Sequence, residues 1–177
     1  ELGFEDVLLS GLANDGGLYI PKEWPKLDYK ELPSTSYSEQ AAYVIYPFVK
    51  GFLSYEELDD IASQAYSHFP SKKAIGLKEV EKGNYLLELF HGPTLAFKDF
   101  AMLLLAELFD LSLKKRNEKI TIIGATSGDT GSAAIEAFKN SQSVNVFIFF
   151  PKGRVSEVQI KQMTTNDGSK IFLSLIN

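Results

Sequence analysis

Lys98 stands in Leu89-Phe-His-Gly-Pro-Thr-Leu-Ala-Phe-Lys-Asp-Phe100, a lone lysine between aromatic rings where a strand should pass into a helix. An ammonium held out of water is costly, so desolvation pushes a lysine toward its nucleophilic free amine. Such an amine condenses with an aldehyde to form a Schiff base. Further along comes Gly124-Ala-Thr-Ser-Gly-Asp-Thr-Gly131. Glycines let backbone approach an anion closely, and a helix start offers unpaired amides and partial positive charge. Thr126, Ser127 and Thr130 add hydroxyl donors. Amine and anion cradle together point to pyridoxal phosphate chemistry on an anionic amino acid.

Plainer readings stand beside these. The glycine loop lacks the Gly-Lys-Ser/Thr of a Walker loop, and its glycines at 124, 128 and 131 miss the Gly-x-Gly-x-x-Gly spacing of dinucleotide sites. A tight strand-to-helix turn capped by Asp129 or Thr130 remains open. Most lysines at helix starts are solvated, and a charged Lys98 inside an apolar helix would need a carboxylate. Asp99 is adjacent, but neighbours on a helix do not face each other. Helix capping or an ion pair suits Asp99 better than catalysis, and His91 suits the Gly92-Pro93 turn. Lys152-Gly-Arg154 reads either as a solvated basic turn or as a cationic wall for a phosphorylated substrate.

The elements that must position these residues follow from the rest of the chain. Its 177 residues are 45% hydrophobic with 13 phenylalanines, enough for a packed core. Net charge is −5 with scattered basic residues, which argues against nucleic-acid binding. No cysteine is present, which excludes disulfides and thiolate chemistry and suits a reducing compartment. Two histidines, His68 and His91, cannot make a histidine-rich metal cluster, and no metal is expected. The apolar stretch from Phe97 to Leu113 is broken by Lys98, Asp99, Glu107 and Asp110, too polar for a bilayer. No basic-then-apolar signal segment opens the chain.

The first part reads as helical. Phe4, Val7, Leu8 and Leu12 share one helix face. Asn14-Asp-Gly-Gly17 is a turn, Leu18 to Ile20 a short extended piece, and Pro21 to Pro33 a loop. Ser36 with Glu39 and Ser54 with Glu57 have capping-box spacing, predicting helices near 37–50 and 55–68 with Pro47 bending or shortening the first. Ser71 to Lys73 reads as a boundary. Strand–helix alternation follows: a strand at Tyr85–Phe90, a helix from Phe97 with an apolar face at 97, 100, 101, 104, 108 and 111, and a strand at Ile120–Ile123. Then come a helix lined by Ala133, Ala134, Ala137 and Phe138, a strand at Val144–Phe150, a helix capped by Ser156 and Gln159, a turn at Asn166–Gly168 and a strand near Ile171–Leu175. This predicts a parallel sheet covered on both faces, with both loops leaving carboxyl ends of its strands toward one crevice.

The Leu89–Phe100 segment and Ser127-Gly-Asp-Thr-Gly131 resemble the paired signatures of the threonine synthase family, within the tryptophan-synthase-β-like (fold type II) pyridoxal phosphate enzymes. Asn14-Asp-Gly-Gly-Leu-Tyr-Ile-Pro21 resembles that family's N-terminal helical domain, and Pro151-Lys-Gly-Arg-Val-Ser156 also matches. The likeness runs in order along essentially the whole chain. It implies a helical domain over 1–75 and the first part of a parallel three-layer α/β domain, binding pyridoxal 5′-phosphate, over 76–177. It implies that Lys98 holds the cofactor and shuttles protons, while Thr126, Ser127, Gly128, Thr130 and Gly131 receive the substrate carboxylate. It also implies that Asp129 borders the cofactor. Many relatives carry asparagine there, donating to the cofactor's phenolic oxygen, which an ionised aspartate cannot do; the aspartate favours threonine synthases over cysteine synthases. Lys152 and Arg154 are candidates for the substrate phosphate.

The implied reaction is that of a cytoplasmic carbon–oxygen lyase, turning O-phospho-L-homoserine and water into L-threonine and phosphate. Another fold type II enzyme, such as a serine or threonine dehydratase, and a non-catalytic anion-binding module are the alternatives. The family's loop for the cofactor phosphate and its hydroxyl partner for the pyridine nitrogen lie downstream of the residues found before Asn177. The expectation is therefore the N-terminal part of a longer enzyme, with weak or absent turnover on its own.

Overall fold

A computed structural model describes residues 1–71, 74–165, 168 and 170–176. The chain divides into two compact units, Glu1–Ser67 and His68–Asn177. The sequence-expected limit near residue 75 lies a few residues later. Phe69 packs its ring against Phe100 at 4.8 Å, which gives this connecting stretch to the second unit.

The first unit is helical, as its periodicity requires. α1 (Phe4–Ser10) ends at Gly11, whose positive φ of 68° closes the turn without a Cβ clash. Leu12 lies beyond that helix and is exposed. The Asn14–Gly17 turn forms, with the Gly17 amide donating to Asp15 Oδ1 at 2.9 Å. Leu18 to Ile20 is irregular rather than a strand. Ser36 accepts from the Glu39 amide to start α2 (Tyr37–Val49), and Ser54 with Glu57 closes a full capping box on α3 (Tyr55–Tyr66). Pro47 lies inside the last turn of α2 without ending it, and its missing amide leaves the Tyr43 carbonyl without that helical bond. α2 and α3 pack together around Ala42, Val49, Leu58 and Ala62, all fully buried.

The second unit opens with a hairpin. β1 (Gly76–Glu81) pairs antiparallel with β2 (Asn84–Glu88) through a turn at Gly83, whose φ is 80°. The predicted strand at Tyr85–Phe90 is thus real but belongs to this two-stranded sheet, not to the parallel one. After the 89–97 loop comes α4 (Lys98–Arg116), stopped at Asn117 in the left-handed region. Its buried residues include Leu103, Leu104, Ala106, Leu108 and Leu113; of the predicted face Leu104 and Leu108 are thus buried, whereas Phe97 and Ala101 are exposed.

β3 (Ile120–Ala125), α5 (Asp129–Phe138), β4 (Val144–Pro151), α6 (Glu157–Thr164) and β5 (Ile171–Ile176) follow the predicted alternation. The three strands form one parallel sheet in the order β3-β4-β5. Val144, Val146, Ile148 and Phe150 of β4 are buried on one face, as are Ala133, Ile135 and Phe138 of α5. The other face carries a cross-strand row, Ile123–Phe147–Phe172, with Phe147 and Phe172 stacked at 4.4 Å. Ile123 is 71% exposed, so among the described residues the expected second covering layer is not supplied. The predicted Asn166–Gly168 turn falls largely outside the described residues. No described helix is long and apolar enough to cross a membrane.

Candidate active site

The loop before Lys98 is built around a buried acid. Asp99 is 1% exposed, and its carboxylate accepts from the Thr94 amide at 2.9 Å and the Thr94 hydroxyl at 2.6 Å. Gly92 lies directly under it, and a Cβ there would collide with the Asp99 side chain. Burial raises the Asp99 pKa above the ordinary carboxylate value; the Thr94 and Ala96 bonds oppose that rise, and the Glu136 charge adds to it. Asp99 is therefore neither an ion-pair partner of Lys98 nor the cap of α4. It folds the loop onto the helix start. His91 bonds to Glu88 at 2.9 Å and lies tilted against the Phe90 ring, at the entrance of the same turn.

Lys98 is the first residue of α4. Its side chain is half-buried, not enclosed, with Nζ lying 4.7 Å from the centroid of the Phe97 ring. Phe97 is itself 56% exposed. Among the described residues no carboxylate pairs with Nζ, so the amine is held by an aromatic face and is accessible to a ligand.

The glycine loop connects β3 to α5. One hydroxyl organises it: Thr126 Oγ1 donates to the Gly128 carbonyl at 3.2 Å and accepts from the Gly128 and Gly131 amides at 3.1 and 3.3 Å. Gly131 is required by contact, because a Cβ would run into Thr126 Cγ2 and come within 3.1 Å of Met163 Sδ. Thr126, Gly128 and Gly131 thus spend their polar groups shaping the loop. Among the described residues the amides of Ser127, Asp129 and Thr130 have no partner, and no side chain caps α5. Ser127, Asp129 and Thr130 are exposed. The donor chemistry fits an anion at the positive end of α5. One residue further, the Ser132 hydroxyl is buried with no partner among the described residues.

Lys152 and Arg154 sit in the turn between β4 and α6, with their side chains exposed. Their backbone amides are used, Lys152 bonding to the Ile176 carbonyl at 3.0 Å and Arg154 to Pro151 at 3.4 Å. Among the described residues no hydrogen bond ties either side chain to the glycine loop.

What joins the two loops is α6, which the sequence reading used only as a capped helix. Gln162 Nε2 donates to the Thr94 carbonyl at 3.0 Å, and Gln159 Nε2 donates to Asp129 Oδ1 at 2.7 Å. The glutamines lie three apart on one helix and so share a face. Spacing alone is the only sequence signal that marks them. A cavity of about 680 Å³ lies elsewhere, in the first unit, lined by Phe4, Val7, Tyr19, Ile20 and Phe48 among others. It holds none of the residues named for chemistry.

Known proteins resemble this chain along nearly its whole length. Residues 1–66 match the family model described as threonine synthase N terminus. Threonine synthase of Pseudomonas aeruginosa is 49% identical over 173 residues, covering 96% of this chain and 37% of that protein. That of Schizosaccharomyces pombe is 40% identical, covering 98% of this chain and 36% of its own length. Among solved structures, the PLP-bound threonine synthase of Brucella melitensis superposes with a TM-score of 0.91 at 47% identity, over 97% of this chain and 38% of that one. The Escherichia coli enzyme gives 0.85 at 31% identity, over 99% and 40%. The chain spans about 37% of the length of the curated relatives it matches.

Proposed function

We propose that this chain, which belongs to the threonine synthase family as its N-terminal portion, supplies the amine and the anion loop for converting O-phospho-L-homoserine and water into L-threonine and phosphate with pyridoxal 5′-phosphate. The observation that carries the reading is an accessible, carboxylate-free amine at Lys98 whose loop is tied, through α6, to a glycine loop with unspent amides.

In this reading Lys98 holds the cofactor through its amine. When bound, the cofactor supplies an aldehyde carbon and a conjugated ring that accepts electron pairs released from the substrate. The Lys98 amine would also take the α proton of the substrate. A proton would then be lost at Cβ and phosphate leave Cγ, Cγ would take up a proton to become the methyl group, and water would add its hydroxyl at Cβ as a proton returns to Cα. Lys98 is positioned to move these protons because it is the first residue of α4, on a loop that Asp99 holds rigid. The amides of Ser127, Asp129 and Thr130 bind the substrate carboxylate, and the Ser127 and Thr130 hydroxyls support them. Thr126, Gly128 and Gly131 keep that loop in shape. Lys152 and Arg154 are assigned to the leaving phosphate by charge, since guanidinium and ammonium groups both hold phosphate well. We place the protein in the cytoplasm, a reducing compartment that suits a chain without cysteine.

The test uses the protein at its natural length. With pyridoxal 5′-phosphate it should gain near-visible absorbance, and borohydride should fix the label on the peptide containing Lys98. Phosphate should then be released from O-phosphohomoserine, with threonine as co-product. Formation of pyruvate from serine or of 2-oxobutyrate from threonine, without phosphate release, would instead make it a dehydratase. A protein that stays colourless would be an anion-binding module.

A further inference from the structure

The Gln159 side chain makes several contacts at once. Oε1 accepts from the Ser156 amide at 3.3 Å and the Ser156 hydroxyl at 2.9 Å, while Nε2 donates to Asp129 Oδ1 at 2.7 Å. These partners dictate the orientation of the amide. Turned over, its carbonyl would meet a carboxylate and its NH2 group would meet an N–H donor. The amide also lies over Gly128, where a Cβ would approach Nε2 to 2.8 Å. The missing side chain in the glycine loop therefore makes room for a glutamine from a different helix.

Asp129 is the first residue of α5, where negative charge is favoured by the helix dipole. Left alone, its carboxylate would compete with any bound anion for the amides at that helix end. Yet no side chain caps α5, and the amides of Ser127, Asp129 and Thr130 have no partner among the described residues. Building on the function proposed above, we infer that Gln159 is a positioning residue: it draws the Asp129 carboxylate onto α6 and so leaves the loop amides to the carboxylate of the amino-acid substrate. Gln162, one turn on, does the corresponding service for the Lys98 loop by holding the Thr94 carbonyl. One helix thereby sets the anion loop against the amine loop.

The natural-length protein with Gln159→Glu tests this. Glutamate keeps the cap on Ser156, since it closes the same box, but turns a second carboxylate toward Asp129. Released from Gln159, the Asp129 carboxylate should settle on the loop amides, so amide exchange at Ser127, Asp129 and Thr130 should slow on the order of ten-fold, and KM for O-phosphohomoserine should rise by a similar factor while kcat changes less than about two-fold. Adding Asp129→Asn reverses the polarity of the bond, because asparagine donates to the new carboxylate, and should return exchange to within about two-fold of the parent. Gly128→Ala, which pushes the Gln159 amide aside, should mimic Gln159→Glu. Unchanged exchange in Gln159→Glu overturns the inference, as does exchange that Asp129→Asn fails to restore. So does an unchanged KM in a variant whose exchange has slowed. The exchange measurement needs no cofactor, so it judges the positioning role even where failure to take up pyridoxal 5′-phosphate sinks the proposed function.

Discussion

The two loops that carry the chemistry are held in opposite ways. The 91–97 loop is closed from within by a buried carboxylate, with Asp99 gripping both the amide and the hydroxyl of Thr94. The 124–131 loop is held by a hydroxyl, Thr126, and by an exposed acid tied to another helix. A buried acceptor with two short bonds makes a stiff platform, suited to presenting one amine at one place. A hydroxyl that bonds two amides and leaves three others free makes a cradle that still has donors to offer. The difference teaches that an anchoring lysine needs rigidity from its own loop, whereas an anion site must stay unsatisfied until its ligand arrives.

The sharpest way to break the contrast is Asp99→Ala. It strands the Thr94 amide and hydroxyl in a buried site and should cost about 2–4 kcal/mol, read from the urea midpoint. Gly131→Ala comes next. Its methyl group runs into Thr126 Cγ2 and Met163, and the expected loss is about 1–3 kcal/mol with a lower Tm. Thr126→Val, which preserves shape but removes the hydroxyl from the Gly128 and Gly131 amides, should cost about 1–2 kcal/mol. Lys98→Ala lies at the bottom for stability, within about 0.5 kcal/mol, because it removes a half-exposed contact to Phe97. It should nevertheless abolish turnover in the natural-length protein. Normal turnover in that variant would end the proposed mechanism.

A pH titration sharpens the same contrast. The folded pKa of Asp99 is raised by burial, so the native state holds its proton to higher pH than the unfolded chain does. Its contribution is fully present below the ordinary carboxylate pKa and is lost as pH rises through the raised native value. Stability measured across that window should fall with rising pH, and Asp99→Asn should remove that part of the slope.

Much of this was legible in the chain because it is local. The Ser54 and Ser156 caps, the helix after the glycine loop and the three apolar strands each rest on residues a few positions apart. β1 was missed because Leu77 and Val80 are interrupted by Lys78, Glu79 and Glu81, and a strand exposed along most of its length leaves no apolar run to read. The packed face of α4 was only partly legible because leucines and Phe109 lie nearly all round the helix, so periodicity selects no side.

The residue types at Lys98, Thr126, Ser127 and Thr130, and their placement at helix starts, follow from short-range spacing, and they already point to an amine beside an anion cradle. Which groups are spent and which stay free was decided only in three dimensions. Asp129 meets Gln159 across 30 residues and Thr94 meets Gln162 across 68, and no pattern of propensity or periodicity encodes a bond between amides and acceptors that far apart. Such bonds exist because the parallel sheet and its helices bring separate loops to one helix face, and burial then fixes which donor each acceptor keeps.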